Sequence, residues 1–383
     1  MRVCLFSAHS PSTGGGAVIL KSLVNALPNA NIEWIYVAKN AASGYEAGYI
    51  GSSFMGGNII ADIVKTFKML AGKRVKEIDE IVKRLLQVDC DAYWVVSHNE
   101  GIRVALELAN AQKKIPVHLT IHDDWAGALC ARSFRYRLMS AEANNMTIKA
   151  IKAVSSFDVI SKGMQEYYLK MTDRKGQICH RFLSLNQTIK GIGVSSEGSK
   201  DLHIGHIGSL YSEKMFLNFC KNLHEFTILR GLNLKIHVWG HQFSNPNLNL
   251  DYITIYKTSN EEFVVKELAI CNFVYCMYPF EKRFRIFSKT SLPTKLSTYV
   301  LAGRPILGHG PKESSLAEFL AATETGIMLC ENDKEDTFKA FDAILSLSVT
   351  DITWLTAIEK YFGQKNLNVM DTIFSNAHSG RLS

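Results

Sequence analysis

Four short stretches of this 383-residue chain combine residue types that binding and catalysis use. The first is Thr120-Ile121-His122-Asp123-Asp124-Trp125, directly after the apolar run 117–121. A histidine and two acids at the carboxyl end of a buried strand are placed for proton transfer or for holding hydroxyl groups. A lone histidine there would read as a packed core residue beside a capping aspartate, but three ionisable residues in succession favour function. Neighbouring side chains point in different directions, so the three are not expected to converge. His122 and Asp123 are the catalytic candidates.

The second stretch is Ser10-Pro11-Ser12-Thr13-Gly14-Gly15-Gly16, ahead of a helical pattern. Glycines such as Gly15 and Gly16 let backbone N–H groups approach an anion, and a helix N-terminus adds partial positive charge. The run matches neither G-x-G-x-x-G nor a P-loop, so dinucleotide and Walker-type readings lose support; a plain flexible connection is the alternative. The third stretch, Leu292 to Ile306, has Pro293 near its start and Gly303 at its end, which frame a short helix. Lys295 falls in its first turn, where the macrodipole gives no reason for a cation. A diphosphate sharing the spot would supply one, with Thr294, Leu296 and Thr298 around it; a solvated lysine is the alternative. The fourth, Gly205-His206-Ile207-Gly208-Ser209-Leu210-Tyr211-Ser212-Glu213-Lys214, is again a strand, small residues, then a cation opening a helix. Ser209 and Lys214 become donor-site candidates when Lys214 is paired with Lys295.

These residues need elements to hold them. Strand candidates are 3–6, 32–37, 93–96, 117–121 and 151–154, then 203–207, 234–238, 253–255, 273–276, 305–307 and 326–329. Most are continuous apolar runs, as expected when both faces of a parallel sheet are covered. Amphipathic segments lie between them at 17–26, 59–86, 102–111, 158–169, 214–229, 261–269, 294–302 and 315–322. This alternation predicts an α/β chain of two doubly wound, Rossmann-like domains. The pattern weakens from 182 to 201, where Gly191, Gly193 and Gly198 with serines and lysines read as a linker. The expected division is 1–188 on the acceptor side, 189–351 on the nucleotide side, and a C-terminal helix, 352–383, crossing back to the first domain. In open α/β sheets ligands bind beyond the carboxyl ends of the strands, which is where all four stretches fall.

Composition narrows the partners. A formal net charge of +7 favours phosphates, nucleotides or an anionic membrane surface, and is too weak to imply nucleic acid. The eight cysteines, none in a CxxC pair, read as reduced thiols of a cytoplasmic protein without structural zinc. The first apolar run is shorter than the roughly 7–15 residues of a secretory h-region. The sequons at Asn145 and Asn186 carry no weight if the protein never enters the secretory path. Residues 59–86 read as one amphipathic helix, with Ile59, Ile60, Ile63, Val64, Phe67 and Leu70 on one face. Lys65, Lys68, Lys73, Arg74, Lys76, Lys83 and Arg84 make it a candidate for lying on anionic lipid. A domain helix with a solvated lysine face fits as well, since Asp62, Glu77, Asp79 and Glu80 dilute the charge. Arg132, Arg135 and Arg137, with Phe134 and Tyr136, are placed to receive a lipid phosphate or to cap a helix.

Taken together the four stretches resemble the GT-B glycosyltransferases, in particular the large retaining family that builds bacterial polysaccharides and glycolipids. The glycine-rich loop after the first strand, His122-Asp123, Ala153-Val154-Ser155-Ser156-Phe157-Asp158-Val159-Ile160, Ile207-Gly208-Ser209-Leu210 with Lys214, and Val238-Trp239-Gly240 fall in the family's order. Pro293-Thr294-Lys295-Leu296, Tyr299 and Ala302-Gly303-Arg304-Pro305-Ile306 match most closely. The resemblance implies two Rossmann-like domains facing a cleft and a hexosyltransferase using a nucleotide-sugar donor and a glycan or lipid-linked acceptor. It implies that Lys214 and Lys295 neutralise the donor diphosphate and that His122 contacts the transferred sugar. Fixed cations and helix ends do the work of a metal ion in such enzymes, so no cofactor is expected. Peripheral attachment to the inner face of the membrane fits a lipid-linked acceptor.

One departure stands out. The family carries two glutamates around this helix, where this chain has Thr290 and Thr298. A threonine can bond one ribose hydroxyl but offers no bidentate carboxylate. An unusual donor, another acid doing the job (Glu281 is near in sequence), or a catalytically silent copy of the fold would each account for it. A UDP-sugar isomerase on the same fold and a non-catalytic partner of a true transferase therefore stay open.

Overall fold

The computed structural model describes residues 1–12, 14–51, 59–111, 114–132, 137–186, 189–190, 200–245, 250–257 and 259–378, with 59, 131, 132, 377 and 378 described by backbone only. The chain divides into two compact units. One comprises Met1–Phe182, Arg283–Leu292 and Gln364–Ser383, the other Leu183–Lys282 and Pro293–Gly363.

The first unit holds, in chain order, β1 (Arg2–Ser7), α1 (Gly15–Ala26), β2 (Asn31–Val37), β3 (Tyr49–Ile50), α2 (Ile59–Leu70), α3 (Lys76–Leu85), β4 (Ala92–Val96), α4 (Gly101–Ala111), β5 (Val117–Ile121), α5 (Trp125–Arg132), α6 (Ser140–Ala153), β6 (Ser156–Val159), α7 (Lys162–Thr172) and β7 (Gln177–Ile178). Its strands form a seven-stranded sheet in the order β3-β2-β1-β4-β5-β6-β7, and every pairing is parallel. The strands buried on both faces are the continuous apolar runs: all five residues of β4 and of β5 are buried, as helices on both sides of a parallel sheet require.

The second unit holds β8 (Asp201–Ile207), α8 (Glu213–Arg230), β9 (Asn233–Trp239), β10 (Ile253–Tyr256), α9 (Glu261–Ala269) and β11 (Phe273–Met277). The chain then visits the first unit with α10 (Arg285–Thr290). It returns for α11 (Lys295–Ala302), β12 (Ile306–His309), α12 (Ser315–Thr323), β13 (Gly326–Leu329), α13 (Lys334–Ser346) and α14 (Asp351–Ala357), and ends in the first unit with α15 (Lys365–His378). The six strands are parallel in the order β10-β9-β8-β11-β12-β13. Phe219 of α8 stacks on Tyr275 of β11 with ring centroids 4.2 Å apart and meets Phe341 of α13 edge-on, and these buried rings form the core under the sheet.

Three expected elements differ. Residues 151–153 end α6 rather than form a strand, because Ala143, Met146, Thr147, Ala150 and Ile151 are buried at helical spacing. The strand follows at Ser156–Val159 and includes Asp158, which was expected to open a helix. A buried carboxylate disguises that strand. Its Oδ1 lies 2.8 Å from His118 Nε2 and accepts the Thr120 hydroxyl, and that hydroxyl in turn takes the Trp94 indole N–H at 2.7 Å. The single helix expected at 59–86 is two, broken by a turn at Gly72. The expected helix at 352–374 is also two, α14 and α15, separated by a π turn at Ile358–Phe362.

Within the first unit α15 is held by apolar and polar contacts. Phe374 packs on Trp94 at 5.5 Å and on His118 at 6.0 Å, and the Asn366 carboxamide oxygen accepts the His180 backbone N–H at 2.9 Å. Removing a buried ring such as Phe374 would cost about 3–5 kcal/mol.

Candidate functional site

In the first unit the strand order reverses at β1, so the loops after β1, β4 and β5 lie side by side at the carboxyl edge. Each loop brings a histidine: His9 two residues beyond β1, His98 two beyond β4, His122 immediately after β5. The His9 and His98 rings meet edge to face at 5.6 Å. His9 and His122 come together over the start of α1. A Cβ placed on Gly16 would lie 3.3 Å from His9 Nε2 and 3.6 Å from His122 Nδ1, so the glycine lets both rings sit close against the helix start. Ser7 fixes the loop, donating its hydroxyl to the His9 carbonyl at 2.8 Å while accepting the Trp34 indole N–H at 2.8 Å. Gly14 caps α1 without a side-chain bond, and no acid stands in its first turn. The positive end of the α1 dipole thus stands beside the histidines with no carboxylate from that helix's first turn to offset it.

Burial holds His9 down to about 4, and His98 pushes the same way. Burial also lowers His122, with His9 adding to the effect and Asp158 and Asp123 opposing it. Both rings are neutral at neutral pH, so each can donate from one nitrogen and accept at the other.

The three polar residues after β5 diverge. Asp124 is fully buried; it caps α5 by accepting the Gly127 N–H at 2.6 Å and takes the Tyr168 hydroxyl at 2.6 Å. Burial raises its pKa. Asp123 is exposed. Gly15 opens α1 beside Gly16. Phe134, Arg135 and Tyr136 and the side chain of Arg132 lie outside the described residues, as does Thr13, and Arg137 is exposed.

In the second unit Lys295 is the first residue of α11, after Pro293 and ahead of Gly303, whose φ of 64° ends the helix. Its Nζ donates to the Ser209 carbonyl at 3.3 Å, and a Cβ on Gly208 (φ +74°) would lie 3.9 Å from that nitrogen. Thr294, exposed at the N-cap, makes no side-chain cap bond. Lys295 thus sits against a backbone turn and an uncapped helix start, a set of donors suited to a phosphate. Burial lowers its pKa.

The turn is held from below. His206 lies with Nδ1 3.0 Å from the Tyr275 carbonyl and Nε2 3.1 Å from that of Gly208, and burial keeps it well below its ordinary pKa, with Lys295 contributing. The Tyr299 hydroxyl donates to the Tyr275 carbonyl at 2.9 Å and accepts the Ile207 N–H at 3.2 Å. Burial pushes the neighbouring Cys276 thiol up to about 11, against the pull of Lys295.

Around this centre, Leu296 is core and Lys214 is exposed in the first turn of α8. The residue before it, Glu213, accepts the Ser244 N–H at 2.9 Å and lies 3.2 Å from His241 Nε2, tying the loop after β9 to the loop after β8. Thr298 donates its hydroxyl to Glu261 Oε1 at 2.8 Å. Glu281 is exposed. Thr290 belongs to the first unit, where its hydroxyl donates to the Ile286 carbonyl at 2.8 Å and its carbonyl accepts the Ser161 hydroxyl.

Sequence reasoning missed His9, His98 and Glu261. The histidines carried a usable signal, since each stands within two residues of a strand's carboxyl end. Glu261 carried none, because only the pairing of α9 with α11 brings it to Thr298. Among the described residues no group of three or more His, Cys, Asp or Glu is placed to hold a metal ion.

No family model matches the chain, and no curated protein matches it. Solved structures match over its length. The lipopolysaccharide outer core galactosyltransferase WaaB, in its apo form, is 13% identical with a TM-score of 0.63, covering 100% of both chains. Sucrose-phosphate synthase from Thermosynechococcus elongatus is 10% identical with a TM-score of 0.69, covering 99% of both. HepE from Anabaena, in complex with UDP and glucose, is 10% identical with a TM-score of 0.62, covering 99% of this chain and 100% of its own. With two parallel, doubly wound sheets and these likenesses along the whole chain, the fold is that of the GT-B glycosyltransferases.

Proposed function

We propose that the chain is a glycosyltransferase that takes a hexose from a nucleoside-diphosphate sugar, UDP foremost, and delivers it to a glycan or lipid-linked acceptor in polysaccharide or glycolipid synthesis. The observation that carries the reading is Lys295, a partly buried cation held against the Gly208-Ser209 turn at the start of an uncapped helix. A partly buried cation with no partner carboxylate among the described residues is unfavourable on its own, and a bound diphosphate gives it a purpose. HepE, of like fold, holds UDP and glucose.

In this reading Lys295, the Gly208-Ser209 turn and Lys214 carry the diphosphate, with Glu261 and Thr298 at the ribose. Lys295 and the helix start stabilise charge on the leaving phosphate as the bond from the sugar's anomeric carbon to its oxygen breaks, and no metal ion is called for. The acceptor hydroxyl forms the new bond to that carbon and gives its proton to the leaving phosphate oxygen, which retains the anomeric configuration. His122, neutral and near Gly16, is the first unit's group for hydrogen-bonding a sugar hydroxyl, with Gly15, His9 and Asp123 around it. Eight free cysteines support a cytoplasmic setting.

The Thr298–Glu261 pair favours an active enzyme over a silent copy of the fold, since a carboxylate is present where position 298 lacks one. The test is release of nucleotide from a panel of UDP-, GDP-, CDP-, TDP- and ADP-sugars. Wild-type protein should release one nucleotide, and His122→Ala and Lys295→Ala should lower that rate at least about a hundredfold. No release from any donor, or release at the wild-type rate by both folded variants, would sink the reading.

A further inference from the structure

Helix α2 presents an apolar stripe to solvent. Ile60, Val64 and Phe67 are 66%, 46% and 57% exposed. At 3.6 residues per turn these three and exposed Ala71 fall on one narrow arc. Asp62, Thr66, Met69 and Leu70 fall on the other side and are buried. The helix thus turns an acid and a threonine inward, with the Thr66 hydroxyl donating to the Asp62 carbonyl at 2.7 Å, and leaves its most apolar side uncovered. An ordinary domain helix does the reverse. Single exposed apolar residues are commonplace, but a continuous stripe on one face marks a contact surface.

The charges around the stripe say what it contacts. Lys68 flanks it on the helix, and Lys73 and Arg74 follow its C-terminal end; all three are exposed. Arg74 is paired with Asp79, and Lys65 with Glu77 at 2.7 Å, which leaves Lys68 and Lys73 as the cations beside the apolar arc. The helix's single acid, Asp62, faces inward. An apolar arc edged by lysine, with no acid on the outward face, is complementary to a surface that is oily within and anionic at its boundary. A second copy of the chain or a protein partner would take the apolar arc but would give the lysines no role. Among the described residues no single helix is long and apolar enough to cross a membrane.

We propose that α2 lies in the plane of an anionic lipid surface, with Ile60, Val64 and Phe67 entering the acyl boundary and Lys68 and Lys73 meeting lipid phosphates. The test is co-sedimentation of the full chain with vesicles of phosphatidylcholine containing about one phosphatidylglycerol in three. Wild-type protein should bind these vesicles, bind pure phosphatidylcholine far more weakly, and be partly released by salt. Ile60→Ser/Val64→Ser/Phe67→Ser should bind at least about tenfold more weakly. Lys68→Gln/Lys73→Gln should lose the preference for the anionic lipid. All these residues are exposed, so melting temperature and nucleotide binding should stay at wild-type values. Should the triple variant not fold, Phe67→Trp gives a second readout, its added emission shifting to the blue on vesicle addition. Failure of wild-type protein to bind phosphatidylglycerol vesicles, equal binding by the folded triple variant, or an unshifted Trp emission would overturn the proposal. Dimerisation through the stripe without vesicle binding would overturn it in favour of a second copy.

Discussion

Thr298 donates its hydroxyl to Oε1 of Glu261 at 2.8 Å, joining the middle of α11 to the first turn of α9. The position that the family resemblance would fill with a glutamate thus holds a threonine already bonded to a carboxylate from another helix. Glu261 is only partly buried. If this pair holds the ribose, Glu261→Gln should weaken UDP binding about tenfold, the loss of one charged hydrogen bond. Thr298→Ala should do the same and also lower stability by about 1 kcal/mol. Calorimetric titration with UDP checks both, and wild-type affinity in both variants would take the ribose away from this pair.

Gly16 is a steric prediction. An added methyl group would lie 3.3 Å from His9 Nε2, tight enough to shift that ring by a few tenths of an ångström, and in ordinary contact with His122 Nδ1 at 3.6 Å. Gly16→Ala should lower turnover about tenfold or more through misplacement, while improving helix propensity in α1 by up to about 1 kcal/mol. Turnover and a urea midpoint measured on one preparation separate the two effects. Undiminished turnover would mean that the histidines do not act where they meet.

Lys295 trades stability for binding. Burial lowers its pKa, so the folded chain holds this cation less favourably than water does. Lys295→Met keeps the stem and removes the charge. Thermal melting of the unliganded variant should match or exceed wild type, while its nucleotide affinity falls. A clear drop in melting temperature without ligand would make Lys295 a structural residue.

Acid should weaken the fold through its histidines. His9 and His309 are lowered to about 4 and His180 to about 3, each chiefly by burial. Between the ordinary value of about 6.5 and these values the unfolded chain binds protons that the folded chain refuses. Stability is therefore fully present above about pH 6.5 and declines as pH falls towards 4. Asp124, raised by burial, works in the opposite sense. Urea midpoints of wild type and His9→Gln across this range isolate the contribution of His9: the variant should show the shallower decline, and parallel curves would contradict the shift.

The sequence made the two-sheet architecture legible because parallel strands buried on both faces are written as plain apolar runs. Val117–Ile121 reads as a strand despite His118 and Thr120, whose polar groups are satisfied by Asp158 and Trp94 inside the unit. Ser156–Val159 does not, since its own buried Asp158 completes that network and can be recognised only once β5 is beside it. Lys295 was legible because its place in a first turn contradicts the helix dipole. His9 and His98 acquire meaning through the strand order, which sets β1 beside β4, and Glu261 through a helix pairing that no local pattern encodes. The turn at Gly72 was hidden within a continuous amphipathic pattern.

The central claim is a nucleoside-diphosphate site built on Lys295. A thermal-shift screen of the full chain against UDP, GDP, CDP, TDP and ADP, with NAD as control, tests it most directly, because a ligand bound only by the folded state raises the melting temperature by mass action. The prediction is a rise of about 3 °C or more with UDP, absent with NAD and lost in Lys295→Ala. An unmoved melting temperature with every nucleotide, or a UDP shift that persists undiminished in Lys295→Ala, would contradict it.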